Sequence, residues 1–234
     1  MAMPTTRWTL LARLEIPEQR ESALEVLCRQ YWTPVFAYLR RRGCGHEEAE
    51  DLAQSFFERI LREELFERVD PAMGEFRSLL LAWLENFAAN AMRTRSALKR
   101  GGGWVAVPLD GATPQDYLEK LAANCATPAE AFDRAWLAAL LQRVVAQLEL
   151  QYAEAGKEAL FSALLPWLMD RETAAQSSAA AQAGISVAHF RVQLHRLRIR
   201  YRDALEQEVI MTVGERGDAA AEMKYLQAIS RGWM

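Results

Sequence analysis

Residues 177–205 read SSAAAQAGISVAHFRVQLHRLRIRYRDAL, and this stretch decides how the whole chain is interpreted. It predicts a short helix of small residues, a tight turn at Gly184 and a longer helix after Ser186, which is the layout of a helix-turn-helix. Glycine supplies the backbone freedom of such a turn, and serine is a favoured helix cap. Large apolar residues recur along the longer helix at steps of three or four, which predicts one buried face. They are Phe190, Leu194, Leu197, Tyr201 and Leu205.

The rest of this longer helix is rich in arginine, histidine and amide side chains, with no acidic residue before Asp203. Arginine bonds guanine edges in the major groove and neutralises phosphates, so the pattern predicts duplex DNA binding. We expect base contacts from the N-terminal half and phosphate contacts from the rest. The alternative interpretation is a solvated basic face. The candidate DNA-binding residues are Ser186, His189, Arg191, Gln193, His195, Arg196, Arg198 and Arg200.

Three amphipathic helices are predicted before residue 100. The first extends from Ser22 to Arg42, with a kink expected near Pro34. The second, over residues 47–60, has an acidic exposed side, and the third begins at Phe76 and becomes basic towards its end. Three consecutive glycines at 101–103 then begin a segment with little apolar periodicity, which indicates a linker.

These segments predict an all-α protein of two small helical domains. We expect a first domain over residues 1–100, a linker over 101–127, and a second domain over 128–205 that begins with a capping box at Thr127 and Glu130. A helical extension of unknown role occupies 206–234. It is expected to pack on the second domain, to hold the protein inactive, or to be a simple terminal helix.

The composition argues against several classes of protein. A net charge of −3 over 234 residues argues against a protein that coats DNA by charge alone. Three cysteines without a CxxC pair indicate neither a disulfide framework nor a zinc site, and no segment predicts a signal peptide or a membrane span. No catalytic constellation stands out. We therefore expect a cytoplasmic protein that is not an enzyme and uses no cofactor or metal.

Taken together, the segments resemble the extracytoplasmic-function group of the sigma-70 family over about residues 20–210. The stretches YWTPVFAYLRRRG (31–43), EEAEDLAQSFFERIL (47–61) and FRSLLLAWLENFAANAMRTRSALKR (76–100) look like region 2 of that family. The helix-turn-helix looks like its region 4. Two features depart from the family's pattern: the first helix of the motif is nearly all small residues, and Val187 and Ala188 stand where polar side chains would be expected.

The resemblance implies that region 2 binds the RNA polymerase core and melts the −10 promoter element, while region 4 reads the −35 element. The expected partners are therefore RNA polymerase core and promoter DNA, with an inhibitory protein as a further expected partner. The implied core-binding residues are Glu50, Asp51, Gln54 and Phe56. The implied −10-binding residues are Asn86, Asn90, Arg93, Arg95, Lys99 and Arg100.

Two other functions remain open from the sequence. The first is a stand-alone helix-turn-helix regulator that binds duplex DNA without polymerase, which rests on the same arginines between 191 and 202. The second is an interaction protein of sigma-like fold that sequesters a partner through its helices.

Overall fold

The computed structural model describes residues 16–63, 76–98, 125–168, 176–213 and 218–231 of the chain. Every regular element in these ranges is helical, so the all-α prediction is confirmed. The α-helices are α1 (Pro17–Arg41), α2 (His46–Arg62), α3 (Phe76–Leu98), α4 (Pro128–Glu154), α5 (Glu158–Leu164), α6 (Gln176–Gln182), α7 (Val187–Ile210) and α8 (Ala219–Arg231). A short 3-10 helix, Leu165–Trp167, follows α5.

The chain groups into two compact units. Unit 1 consists of Met1–Ala139 with Val209–Met234, and unit 2 consists of Leu140–Glu208. The boundaries lie inside α4 and α7, whereas the sequence predicted a boundary at the linker 101–127, most of which lies outside the described residues. The functions expected of the two domains stay predictions.

Two prolines show where the predicted helix limits needed correction. Helix α1 begins at Pro17, before the predicted Ser22, and continues as one helix through Pro34. Helix α5 ends after seven residues, at Leu164, and Pro166 lies in the 3-10 helix that follows. Proline has no N–H for the ladder and its ring crowds the preceding turn, which explains the early end.

Side-chain caps begin α4 and α8. The Thr127 hydroxyl accepts a hydrogen bond from the Glu130 amide at 3.1 Å, and the Glu130 carboxylate accepts one from the Ala126 amide at 2.7 Å. The first bond is the predicted half of the capping box, while the second reaches one residue further back. At α8 the Asp218 carboxylate accepts from the amides of Ala220 and Ala221 at 2.9 and 3.1 Å.

Aromatic side chains hold the helices of unit 1 together. Tyr31 of α1 meets Phe76 of α3 edge-on at 5.3 Å between ring centroids. Phe56 of α2 lies 5.4 Å from Phe87 of α3, and the neighbouring Phe57 stacks with Trp32 at 6.0 Å. These contacts fix the sides of α2 and α3 that remain exposed.

A buried group of charges fastens α8 into unit 1. The Arg77 guanidinium of α3 donates to Asp133 of α4 and to both carboxylate oxygens of Glu222 of α8, at 3.2 and 3.3 Å. It also lies 5.4 Å from the Trp136 ring centroid and 5.0 Å from that of Tyr225, whose hydroxyl donates to Asp133 at 2.5 Å. We call these five side chains the Arg77 cluster.

The charges in the Arg77 cluster stabilise one another. Burial alone would lower the pKa of Arg77, but Asp133 and Glu222 raise it above its ordinary value. Burial and the bond to Asp133 raise the pKa of Tyr225 to about 12. Packing on the predicted second domain was one of three alternatives left open for residues 206–234, and the hydrogen bond from Tyr225 to Asp133 is such a contact. Nothing in the sequence indicated the contact between α8 and Arg77 of α3.

The core of unit 2 joins α4, α5, α6 and α7. Tyr152 of α4 and Phe161 of α5 lie 5.2 Å apart, and Trp167 meets Phe190 of α7 edge-on at 6.5 Å. The apolar face predicted for the longer helix is confirmed at Phe190, Leu194, Leu197 and Tyr201, which are buried, while Leu205 is half-buried. This core places α7 with its opposite side towards solvent.

Candidate nucleic-acid interface

Helices α6 and α7 form the helix-turn-helix geometry that the sequence predicted. Gly184 has a φ of +66°, a left-handed conformation that side chains other than glycine rarely adopt. The amides of Gly184 and Ile185 bond back to the carbonyls of Ala181 and Ala180 at 3.1 and 3.0 Å, which closes the end of α6. Ser186 caps α7, because its hydroxyl accepts from the His189 amide at 3.2 Å.

Helix α6 consists of small and amide residues, and its buried alanines share the unit 2 core with α7. Ala179 and Ala180 are buried in the unit 2 core beside Phe190 and Leu194. Larger apolar side chains are missing from α6, and the large apolar residues that pack with α7 come mainly from α4 and α5. The motif is therefore held by the rest of unit 2 rather than by α6 alone.

The polar residues of α7 divide into two rows, one on each side of its buried face. Because a helix turns once in 3.6 residues, positions four, seven and eleven apart lie in one row. We call the rows the Arg196 flank and the Arg198 flank. The Arg196 flank comprises His189, Gln193, Arg196 and Arg200. The Arg198 flank comprises Arg191, His195, Arg198 and Arg202.

Two exposed apolar residues separate the flanks. Val192 is 48% exposed and Ile199 is 40% exposed, in the middle of the solvent side of α7. The sequence described this whole surface as basic, and the structure replaces that description with two polar rows and an apolar centre. In a major groove such methyl groups would suit the methyl of thymine.

Two arginines of the Arg198 flank have partners within unit 2. Arg198 donates to the carbonyl oxygens of Trp167 and Leu168 at 2.8 and 3.3 Å, where the 3-10 helix leaves carbonyls without helical partners. Arg191 donates to the buried amide oxygen of Gln176 at 3.3 Å. These bonds give both residues a structural role that the sequence did not reveal.

The Arg196 flank has a different environment. His189 and Gln193 bond to each other at 2.8 Å, near the start of α7. Further along, the Arg200 guanidinium lies 5.5 Å from the centroid of the Tyr152 ring. Arg196 is exposed, and among the described residues it has no ion-pair partner. Lys157, which the sequence did not single out, lines the same cavity as Arg196 and Arg200.

Four of the six residues expected at the −10 element belong to α3. Asn86, Asn90 and Arg93 are exposed, and Asn86 donates to the carbonyl of Ala82 at 3.0 Å. Both asparagines line a small cavity of about 100 Å³, together with Trp83 and Phe87. Arg95 belongs to α3, but its side chain lies outside the described residues, as do Lys99 and Arg100.

The residues expected to bind polymerase core lie on α2. Glu50, Asp51 and Gln54 are exposed, and Gln54 donates to Glu58 at 2.9 Å along the helix. Phe56 differs from them, since its ring is only 1% exposed and packs against Phe57 and Phe87. We therefore correct its assignment: Phe56 is a core residue that positions α2, because a partner protein cannot reach a ring this deeply buried.

Comparisons of the chain with protein-family models, with curated proteins and with solved structures find no match. None of the described helices combines the length and the apolar character that crossing a membrane requires. Within the described ranges, no three histidine, cysteine, aspartate or glutamate side chains come together as metal ligands would.

Proposed function

We propose that this chain is an alternative RNA polymerase sigma factor of the extracytoplasmic-function type, which binds polymerase core and directs promoter-specific initiation. The observation that carries the proposal is the helix-turn-helix of α6 and α7, with a glycine turn, a serine cap and polar flanks facing solvent. A helix presented in this way fits the major groove of duplex DNA. In this proposal unit 2 reads the −35 element.

Unit 1 supplies the second half of the proposal. Glu50 and Asp51 give α2 an exposed acidic surface, which suits a basic surface on the polymerase. The amides of Asn86 and Asn90 suit the edges of unstacked bases, and Arg93 suits the phosphates of the melted −10 strand. A protein of this kind acts in the cytoplasm as a non-enzymatic subunit, and an inhibitory protein that masks either surface would regulate it.

The test is co-purification with core polymerase followed by promoter mapping. We expect a stable complex with core, and we expect Glu50→Lys combined with Asp51→Lys to abolish it by charge repulsion. Glu18→Lys combined with Glu21→Lys, a matched pair on the exposed side of α1, should leave the complex intact. A purified protein that neither binds core nor supports run-off transcription would contradict the proposal.

A stand-alone helix-turn-helix regulator is the second candidate, because unit 2 contains the complete motif with its own core. Tight, sequence-specific binding of duplex DNA by the protein alone would favour this candidate. Unchanged cellular function after joint replacement of Arg191, Arg196 and Arg198 by alanine would instead favour a protein that only binds protein partners.

A further inference from the structure

A cationic pocket lies beside α7 in unit 2. It has a volume of about 140 Å³ and is lined by residues from the end of α4, the turn before α5 and the middle of α7. Its polar lining side chains are Lys157, Arg196, Arg200, Gln151 and Gln193.

The charge of this pocket is not balanced from within. Three of its lining side chains are cations and two are neutral amides, and none is a carboxylate. No ion pair joins Lys157, Arg196 or Arg200 to an acid in the described part of the chain. Three cations held together without a counter-charge repel one another, so the pocket gains stability when an anion enters it.

The ring of Tyr152 makes this a preformed site. Arg200 lies over that ring at 5.5 Å, which limits the freedom of its guanidinium before any ligand binds. The tyrosine itself is buried, with its ring against Phe161 in the unit 2 core. Guanidinium, ammonium and amide groups all donate hydrogen bonds, and a tetrahedral phosphate accepts several at once.

We propose that this pocket binds a backbone phosphate of duplex DNA, so that Arg196 and Arg200 are phosphate contacts and Lys157 belongs to the same interface. The assignment rests on the proposed function and settles which of two roles Arg196 has. Arg196 stands roughly 13 Å along the helix from Val187, at 1.5 Å per residue, whereas base contacts in a helix-turn-helix come from the first turns. On this flank the base-reading residue is accordingly His189, while Gln193 lines the pocket.

The experiment measures the affinity of the full-length protein for several duplexes over a range of salt concentrations. Lys157→Gln should weaken binding, and Arg196→Gln combined with Arg200→Gln should weaken it further and lower the slope of log affinity against log salt by about 1, the share of the single phosphate in the pocket. Both losses should be the same for all duplexes tested. Lys224→Gln, the same change on the exposed side of α8, is the control and should leave the slope unchanged.

A second arm identifies the phosphate. Duplexes that carry a neutral methylphosphonate at one position at a time should contain a linkage whose neutralisation weakens binding by the wild-type protein more than binding by Lys157→Gln. Unchanged slopes, or losses confined to particular base sequences, would overturn the pocket assignment while the variants still bind core polymerase. A wild-type protein that binds neither duplex nor core would overturn the proposed function as well.

Discussion

Arg77 in unit 1 and Arg196 in unit 2 show two opposite uses of the same side chain. Arg77 is 5% exposed, faces two carboxylates and lies between two aromatic rings. Arg196 is exposed, lines a pocket with two other cations and meets no carboxylate there. A guanidinium whose charge is balanced inside the fold contributes to stability, whereas one left unbalanced at the surface is available to an external anion.

The same contrast recurs within α7. Arg198 donates hydrogen bonds to the carbonyls of Trp167 and Leu168, whereas Arg196, two residues earlier, lines the pocket. Sequence position alone makes the two arginines look equivalent. Their contacts indicate that single substitutions in α7 can separate stability from DNA binding.

The largest expected effect concerns Arg77. Arg77→Ala leaves Asp133 and Glu222 buried without a cation, and we expect the free energy of unfolding to fall by about 3–5 kcal/mol. Denaturant titration measures the change. Arg202→Ala, an exposed arginine on α7, serves as the control and should change it by less than about 0.5 kcal/mol. A loss at Arg77 as small as that of the control would show that the Arg77 cluster does not stabilise unit 1.

The second prediction reverses the comparison. Arg196→Ala should leave the free energy of unfolding unchanged within about 0.5 kcal/mol and should weaken duplex binding by an amount that shrinks as the salt concentration rises. Because we assign Arg196 to a phosphate, the loss should be uniform across sequences. Fluorescence anisotropy with matched duplexes measures it. If Arg196→Ala lost much of its stability, Arg196 would be a structural residue like Arg77, and the proposed difference between the two arginines would be wrong.

The third prediction sharpens the difference between the two flanks. Arg198→Ala removes two charge-assisted hydrogen bonds to backbone carbonyls, and we expect the free energy of unfolding to fall by about 1–2 kcal/mol. Thermal unfolding of this variant beside Arg196→Ala measures the difference. If both variants unfold at the wild-type temperature, the hydrogen bonds of Arg198 do not contribute to the stability of unit 2.

The smallest effect is a pH dependence. Unfolding returns the pKa of Tyr225 from about 12 to 10, so its contribution to stability is full below pH 10 and is lost as the pH rises through 12. Tyr201, whose pKa burial also raises to about 12, behaves in the same way. Alkaline titration of stability should therefore show a smaller loss for Tyr225→Phe than for the wild type. Identical alkaline profiles would contradict the assignment.

Local features could be predicted from the sequence because neighbouring residues determine them. The helix-turn-helix followed from Gly184, Ser186 and the spacing of Phe190 and Leu194, and the cap of α4 followed from Thr127. The ends of helices were predicted less accurately, because proline has different effects in different places: Pro34 lies inside α1, whereas α5 ends before Pro166.

Long-range contacts could not be predicted in this way. Arg77, Asp133 and Glu222 meet across 56 and 145 residues, and no periodicity links them. Lys157 carried no signal of its own, because its importance depends on the packing that places it beside α7. Phe56 differs, because its burial follows from the apolar spacing of Ala49, Phe56 and Ile60 along α2, and only the family resemblance assigned it to the polymerase surface.

Promoter-directed run-off transcription tests the central claim most directly. We expect this protein, mixed with core polymerase, to start transcripts at defined promoters. We expect Arg196→Ala to reduce their yield, and Lys224→Ala, which removes one exposed positive charge from α8, to leave the yield unchanged. A core complex that starts no transcript at any promoter, or transcription that is indifferent to the Arg196 flank, would contradict the account.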